Sequence, residues 1–137
     1  INQLKNLAKG YPVYFYPNLE YEKLIELYGK SRIYWHAAGY EEEDPTKMEH
    51  FGITTVEAMA AGVVPVVIAS GGQVEIVENE KSGFLWKTPQ ELENLTKKLI
   101  NDQELMKKLS QAAQKRSKIF SKDNFCKSIR QIIDGYN

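Results

Sequence analysis

The chain has 137 residues, of which 42% are hydrophobic and 26% are charged, as is typical of one ordinary globular domain. Its 18 basic and 18 acidic side chains give a formal net charge of zero, which argues against a general nucleic-acid binder. One cysteine, Cys126, excludes an internal disulfide and a zinc site of several cysteines, and it favours a cytosolic setting. No apolar stretch approaches the roughly 18 residues that a transmembrane segment requires.

The first part of the chain predicts two helices and two strands. Residues 1–8 have helical apolar spacing, and residues 13–17 (VYFYP) are rich in the aromatic and β-branched residues that favour strands. Asn18 can cap a second helix that Gly29 ends, and residues 32–38 (RIYWHAA) predict the next strand. Because the chain opens without methionine inside a helical pattern, we expect it to be a piece of a longer protein.

The middle of the chain predicts the centre of a sheet. A polar loop leads to a helix over residues 53–61, which Gly62 ends. Residues 63–70 (VVPVVIAS) are apolar at nearly every position, which is typical of a central strand in a parallel sheet with helices on both sides. Pro65 cannot donate to a ladder, but it is tolerable as the first residue of a strand. A glycine turn and a short helix precede a short strand over residues 83–86 (GFLW).

The remaining sequence predicts three helices. The first has a strong start, with Thr88 as N-cap, Pro89 at the first helical position and Glu91 three residues after the cap. A second helix is lined by apolar residues, and Ser121 opens the last one.

This alternation of strands and helices predicts an α/β fold, with a Rossmann-like parallel sheet and helices on both faces. In open sheets of this kind, ligands bind beyond the carboxyl ends of the strands. The rule brings the loops at 17–19, 36–52 and 70–73 to one edge of the sheet.

Two glutamates flank a glycine turn in the stretch KMEHFGITTVEAMAAG (47–62). Gly52 lets the backbone approach a ligand closely, and the following helix would present free N–H groups and a positive dipole end to a phosphate or diphosphate. Glu57 could accept hydrogen bonds from sugar hydroxyls, and Glu49 could reach a second group of the same ligand. The alternative needs no ligand: Thr54 and Glu57 also fit a capping box, and Glu49 could be one more charge of an acidic loop.

The run from Glu49 to Gly62, followed by VPVV, SGG, EIV and GFL, resembles the carboxyl-terminal domain of retaining glycosyltransferases of family 4 (group 1). These enzymes have two Rossmann-like domains, the GT-B fold. Glu49 and Glu57 match both ends of the family's E-x7-E signature, and the other pieces agree in order and spacing. The resemblance covers residues 11–87 well and the later helices loosely. It implies that residues 1–137 form a single nucleotide-sugar-binding domain of a larger enzyme, without its first strands.

The resemblance also implies roles for individual residues. Glu57 matches the glutamate that holds the ribose hydroxyls of the nucleotide, and Glu49 matches the one near the transferred sugar, at the reaction centre. Leu19 matches a backbone contact to the nucleobase. The other matches are positions that face sugar and phosphate, at the turn and at the edge of the cleft: Phe51, Gly52, Ile53, Thr54, Gly71 and Gly72.

The implied reaction transfers a sugar from a UDP-, GDP- or ADP-sugar to a hydroxyl of a glycan or lipid-linked acceptor, which the missing amino-terminal domain would bind. The resemblance implies no cofactor and no essential metal, because helix amides and positive groups hold the leaving diphosphate. The arginine and lysine that the family uses for this purpose have no match in residues 1–10, so we expect them upstream. We expect a cytoplasmic enzyme, either free or peripheral at the inner face of the membrane.

Two other functions stay open at this point. Nucleotide-sugar epimerases share the two-domain architecture, and a copy without its amino-terminal half would be a non-catalytic nucleotide-sugar-binding module. A complete first Rossmann domain upstream, with the arginine–lysine pair, would favour the transferase. A dinucleotide-dependent oxidoreductase is not indicated, since no G-x-G-x-x-G follows a strand.

Two further features have a functional and a structural interpretation. His36, at the carboxyl end of its predicted strand, can reach the cleft as a substrate-binding residue, or it can be a histidine packed between its neighbours. The strand ends in WHAAG, where the family commonly has a Pro-Ser-like end. The acidic loop, residues 41–44, can bind a cation or a basic acceptor, or it can be solvated.

Overall fold

The computed structural model describes residues 1–135, and residue 45 by its backbone alone. Helices and strands alternate along most of this length. The helices are α1 (Asn2–Leu7), α2 (Tyr21–Lys30), α3 (Ile53–Ala60), α4 (Gln73–Ile76), α5 (Pro89–Asn101), α6 (Gln103–Ser117) and α7 (Lys122–Asp134). The strands are β1 (Ile33–His36), β2 (Val64–Ile68) and β3 (Phe84–Trp86), and short 3-10 turns occupy Pro45–Lys47 and Lys118–Phe120.

The strands form a parallel sheet in the order β1-β2-β3. Ile33 lies opposite Val64 on one side of β2, and Phe84 lies opposite Val66 on the other side. Every residue of β2 is buried, which confirms the prediction of a central strand covered on both faces.

Alternate residues of the sheet pack against helices on opposite faces. Val66 and Phe84 belong to a buried cluster with Leu99 of α5 and Leu109 of α6. On the other face, the buried cluster comprises Val67 of β2, Met59 of α3, Ile76 of α4, Val77 after it and Ala113 of α6. The predicted α/β fold, a parallel sheet with helices on both faces, is therefore confirmed.

Pro65 is the second residue of the central strand, not the first. The N–H of Val64 donates to the carbonyl of Arg32, so the nitrogen of the next residue points away from β1 and toward β3. Strand β3 begins only opposite Val66, and Gly83 lies beside the proline instead. A Cβ on Gly83 would lie 2.5 Å from Cγ of Pro65, so the glycine makes room for the ring. The proline therefore costs no ladder hydrogen bond at this position.

The prediction for residues 13–17 was wrong. The segment contains no strand, and Tyr14 and Tyr16 are exposed. Aromatic and β-branched residues favour a strand only where a neighbouring strand can pair with them, and this segment pairs with none within the described residues. Asn18 has a left-handed backbone (φ 55°) and does not cap α2, which begins after Glu20 and continues through Gly29.

Two helix starts agree with the sequence. The hydroxyl of Thr88 accepts a hydrogen bond from the N–H of Glu91, with Pro89 at the first helical position. The hydroxyl of Ser121 accepts from the N–H of Asn124 and caps α7.

Within residues 1–135, none of the helices combines the length and the apolar character needed to cross a membrane.

Candidate functional site

The candidate site lies where β1 and β2 end. His36 is the last residue of β1, and the Gly71–Gly72 pair follows β2. The turn from Glu49 to Gly52 lies against both and leads directly into α3. Of the three loops predicted to meet at the carboxyl edge of the sheet, 36–52 and 70–73 therefore do so, whereas the residues before 17–19 form no strand.

The carboxylate of Glu49 is fixed by the turn that follows it. Its Oε1 accepts hydrogen bonds from the N–H of Gly52 (2.9 Å) and the N–H of Phe51 (3.3 Å). Its Oε2 lies 3.6 Å from Nε2 of His36. The bond from Gly52 is the main reason why the pKa of Glu49 is below its ordinary value, with smaller contributions from Phe51 and His36. Glu49 is therefore an oriented, ionised carboxylate at neutral pH.

His36 is packed and also reaches the site. Its side chain is 10% exposed, and the ring lies 6.3 Å from the ring of Tyr34. One nitrogen approaches Glu49, while Nδ1 is buried without a hydrogen-bond partner among the described residues. His36 is therefore largely buried and lies beside the predicted catalytic glutamate, while its role in substrate binding stays a prediction.

Helix α3 begins without a side-chain cap. Gly52 is the N-cap residue in a left-handed conformation (φ 81°), which places Thr54 inside the helix. The hydroxyl of Thr54 instead pairs with the hydroxyl of Tyr34 at 2.8 Å, so the alternative interpretation, a capping box with Glu57, is not found. Over the described part of the chain, the N–H groups of Ile53 and Thr54 have no acceptor. Two amides and the positive end of the helix dipole are thus open to an anionic ligand.

The glycine pair permits a close backbone contact. The N–H of Gly72 donates to the carbonyl of Glu49 at 2.8 Å. A Cβ on Gly71 would lie 2.2 Å from that carbonyl oxygen, and a Cβ on Gly72 would lie 2.1 Å from the carbonyl oxygen of His50. Only glycine fits at these two positions, so the pair holds the turn in place as well as forming the edge of the site.

Glu57 lies one turn further along α3, on the side of Ile53 and Thr54. It does not bond to Glu49; its Oε1 accepts a hydrogen bond from the hydroxyl of Tyr21 at 3.1 Å. Tyr21 is the first residue of α2, and Leu19 lies half-buried two residues before it. Glu57 therefore contacts the first turn of α2, which Leu19 precedes, and has no hydrogen bond to the group around Glu49 within the described residues.

The side chains of Phe51 and Ile53 are exposed at the mouth of the turn. The ring of Phe51 lies edge-on to Phe120 at 6.3 Å, which connects the turn to the segment before α7. The backbone N–H of Phe51 therefore donates to Glu49, while its side chain contacts Phe120.

Two carboxylates of the acidic loop have contacts with their own neighbours. Lys47 lies 3.8 Å from Glu42 and 3.7 Å from Asp44, and Thr46 donates two hydrogen bonds to Asp44. No group of three or more His, Cys, Asp or Glu side chains suited to a metal ion occurs in the described part of residues 1–135. These contacts favour the interpretation of a solvated loop.

Two polar contacts that shape the site could not be foreseen from the sequence. Gln73, at the start of α4, is fully buried and accepts a hydrogen bond from the hydroxyl of Thr55, which is also buried. A Cβ on Gly52 would lie 2.8 Å from Nε2 of Gln73, so this amide packs under the turn. The contact between Tyr21 and Glu57 joins residues 36 positions apart in sequence, so local spacing does not indicate it.

The comparisons with known proteins agree on one family. Residues 1–116 match the family model described as "Glycosyl transferases group 1". The chain is 32% identical over 138 residues to the GDP-Man:Man(3)GlcNAc(2)-PP-Dol alpha-1,2-mannosyltransferase of Dictyostelium discoideum. That match covers 97% of the chain but 26% of the relative, so the chain spans about a quarter of the relative's length.

Two solved structures share the fold. Sucrose-phosphate synthase from Thermosynechococcus elongatus superposes with a TM-score of 0.79 at 21% identity, over 98% of this chain and 34% of the synthase. HepE from Anabaena, solved in complex with UDP and glucose, superposes with a TM-score of 0.77 at 25% identity, over 98% of this chain and 35% of HepE. The α/β arrangement described above is therefore one that occurs in glycosyltransferases.

Proposed function

Because the chain belongs to the group 1 glycosyl transferase family, we propose that it is the donor-binding domain of a retaining glycosyltransferase. The full-length enzyme would transfer a sugar from a nucleoside diphosphate sugar to a hydroxyl of its acceptor. Family membership supports the reaction class, and the geometry around Glu49 and α3 supports the role of this domain within it.

One observation carries the proposal: an oriented carboxylate lies beside an uncapped helix start. Glu49 is held by the N–H groups of Phe51 and Gly52, while the amides of Ile53 and Thr54 are open. A diphosphate at these amides would gain hydrogen bonds and the favourable end of the helix dipole. Its attached sugar would then lie near Glu49, which can accept hydrogen bonds from the sugar hydroxyls.

The same arrangement would assist departure of the nucleoside diphosphate. Negative charge develops on the diphosphate as the bond to the sugar breaks, and fixed amide dipoles stabilise that charge without reorganisation. Glu49 would orient the sugar, and Glu57 would hold the ribose. We assign Glu49 no role as a nucleophile, and the retaining outcome follows from the family resemblance.

The names of related proteins narrow the choice of donor to be tested. The Dictyostelium relative is named for GDP-mannose and for a lipid-linked acceptor, whereas HepE was solved with UDP and glucose. We propose that the donor is a GDP- or UDP-sugar, that the acceptor is a glycan or a lipid-linked glycan, and that no metal ion is essential.

The decisive experiment is a calorimetric titration of the full-length protein against UDP-, GDP- and ADP-sugars. We expect saturable binding of one base class, with the bare nucleoside diphosphate also binding. Glu57→Gln serves as the matched variant, and it should weaken that binding. Absence of binding for every nucleotide sugar, by a protein that melts cooperatively, would refute the donor-binding role. The anomeric configuration of the product, followed by NMR, then tests retention.

A further inference from the structure

We infer that Tyr21 is a positioning residue for Glu57: its hydroxyl fixes the carboxylate that would hold the ribose, and so sets the preference for a ribonucleotide. This inference rests on the proposed function, since it concerns the nucleoside end of the same site. The contact that motivates it is the hydrogen bond from the Tyr21 hydroxyl to Oε1 of Glu57, 3.1 Å long.

The packing of α2 determines where the hydroxyl lies. Tyr21, Leu24 and Tyr28 lie at helical spacing on one face of α2. Tyr28 is buried in a cluster with Ala58 of α3 and Val63, and Leu24 and Tyr34 of β1 pack against that cluster. These apolar contacts anchor α2 beside α3, so the tyrosine at its first turn is directed toward Glu57 by the fold and not by the hydrogen bond alone.

The contact leaves Glu57 able to bind a ligand. Only Oε1 accepts from Tyr21, and Oε2 has no hydrogen-bond donor within the described part of the chain. Glu57 raises the pKa of Tyr21, chiefly through this hydrogen bond, so the phenol stays protonated and remains a donor at neutral pH. Burial raises the pKa of neighbouring Tyr28 to about 12, so that phenol also stays neutral. A ribose hydroxyl can therefore donate to the second oxygen while Tyr21 holds the first.

Ordering the carboxylate of Glu57 before the ligand binds should increase the affinity for the ribonucleotide. A glutamate with no fixed partner has several rotamers, and a ligand that needs one of them must bear the ordering cost. Tyr21 orders the side chain before the ligand arrives. Tyr21 is also 56% exposed, so the residue borders the open site instead of filling the core.

The test compares Tyr21→Phe with the wild-type full-length protein by calorimetry. The probes are GDP and UDP and their 2′,3′-dideoxy counterparts, which lack the ribose hydroxyls. For the ribonucleotide that binds, we expect Tyr21→Phe to weaken affinity by about threefold to tenfold, from the usual cost of ordering a side chain. The affinity for the dideoxy nucleotide should stay unchanged. Tyr11→Phe is the matched control, since Tyr11 is 72% exposed and should leave both affinities as in wild type.

A double-mutant cycle then tests whether Tyr21 acts through Glu57. In a Glu57→Ala background, Tyr21→Phe should cause no further loss. Unchanged or tighter ribonucleotide binding by Tyr21→Phe would overturn the inference, because the hydroxyl would then be idle or would compete with the ligand. An equal loss for both nucleotides would also overturn it, since that pattern reflects a general structural effect. If the wild-type protein binds no nucleotide, the proposed function itself is refuted. A loss of affinity in Tyr21→Phe alone does not refute that function, so the two outcomes can be distinguished.

Discussion

Glu49 and Glu57 belong to one sequence motif, but their surroundings differ. Glu49 accepts two backbone N–H groups and approaches His36, whereas Glu57 accepts one side-chain hydroxyl on the next turn of α3. The capping interpretation of Glu57 has no support, because Gly52 is the N-cap residue. The two carboxylates are therefore available for different parts of one ligand, and substitutions should separate their contributions.

Glu57→Gln in the full-length protein should weaken binding of the bare nucleoside diphosphate by about tenfold or more, because a hydrogen bond to a charged group contributes roughly 1.5–3 kcal/mol. Glu49→Gln should leave that affinity nearly unchanged and should lower turnover, since an interaction that strengthens in the transition state is lost from the rate. Calorimetry with the nucleotide and steady-state kinetics distinguish the two effects. Wild-type nucleotide affinity in Glu57→Gln would contradict the ribose assignment.

Glu49 should also contribute stability that depends on pH. Glu49→Ala leaves the N–H groups of Gly52 and Phe51 without their acceptor, and it should lower the free energy of unfolding by about 1–3 kcal/mol at neutral pH. The hydrogen bond from Gly52, above all, lowers the folded-state pKa of Glu49 below its ordinary 4.5. The contribution is thus full above that pH and is lost as pH falls through the lowered value.

Denaturant unfolding of wild type and Glu49→Ala, over a series of pH values from neutral to well below 4.5, checks this prediction. The stability difference should shrink on acidification. Glu43→Ala, in the exposed acidic loop, is the control and should show only a small difference at any pH. A difference for Glu49→Ala that stays constant down to the acid limit would contradict the role of the ionised carboxylate.

At the level of helices and strands, the sequence predicted those features that depend only on residues close together in the chain. The caps at Thr88 and Ser121 are formed by residues three apart, and the buried strand β2 is evident from its own composition. The strand predicted for residues 13–17 does not form, because a strand requires a neighbouring strand and composition does not reveal whether one is present. The position of Pro65 depends on the register with β3 and on Gly83, which no single segment encodes.

In the candidate site, too, features set by local spacing were predictable and contacts between elements were not. The glycine turn and both glutamates were identifiable from the motif, since their spacing is local. The pairing of Thr54 with Tyr34 and of Glu57 with Tyr21 arises from α2 and β1 packing beside α3. Such contacts across elements decided against the capping box, which local spacing had left open.

Gly72→Ala should separate the loop after β2 from the turn before α3. The residue has φ −64°, so alanine causes no backbone strain, but its Cβ would lie 2.1 Å from the carbonyl oxygen of His50. We expect a loss of about 1–3 kcal/mol in the free energy of unfolding, as for overpacking. Sugar transfer should also fall, because the clash displaces the backbone N–H of residue 72 from the carbonyl of Glu49.

Gly29→Ala is the matched control for this substitution. Gly29 lies inside α2, and no other side chain or backbone atom lies within 4 Å of the position that a Cβ would take there. Alanine should therefore stabilise the helix by about 0.5–1 kcal/mol. Thermal melts and transfer assays on both variants compare the two sites. Equal behaviour of the two alanine variants would show that the loop contact is not tight in solution.

At the level of the whole molecule, sugar transfer by the full-length protein should survive EDTA. The open amides of Ile53 and Thr54 and the helix dipole would hold the diphosphate together with the arginine–lysine pair expected upstream, and Glu42 and Asp44 of the acidic loop already have Lys47 as a counter-ion. The assay follows transfer with and without the chelator, at saturating donor. Loss of activity that manganese or magnesium restores would contradict this prediction and would give the acidic loop a metal-binding role.

Residues 1–137 expressed alone should bind the nucleoside diphosphate but transfer no sugar. Glu49, Glu57 and the open helix amides are all within this chain, so part of the donor contacts is present without the arginine–lysine pair that is expected upstream. The acceptor would be bound by the other domain of a GT-B enzyme, and the chain covers 26% of its Dictyostelium relative. Calorimetry should therefore detect nucleotide binding, while a radiolabelled transfer assay detects no product. The full-length protein, assayed with the same donor, is the positive control, and transfer by residues 1–137 alone would show that one domain suffices for the reaction.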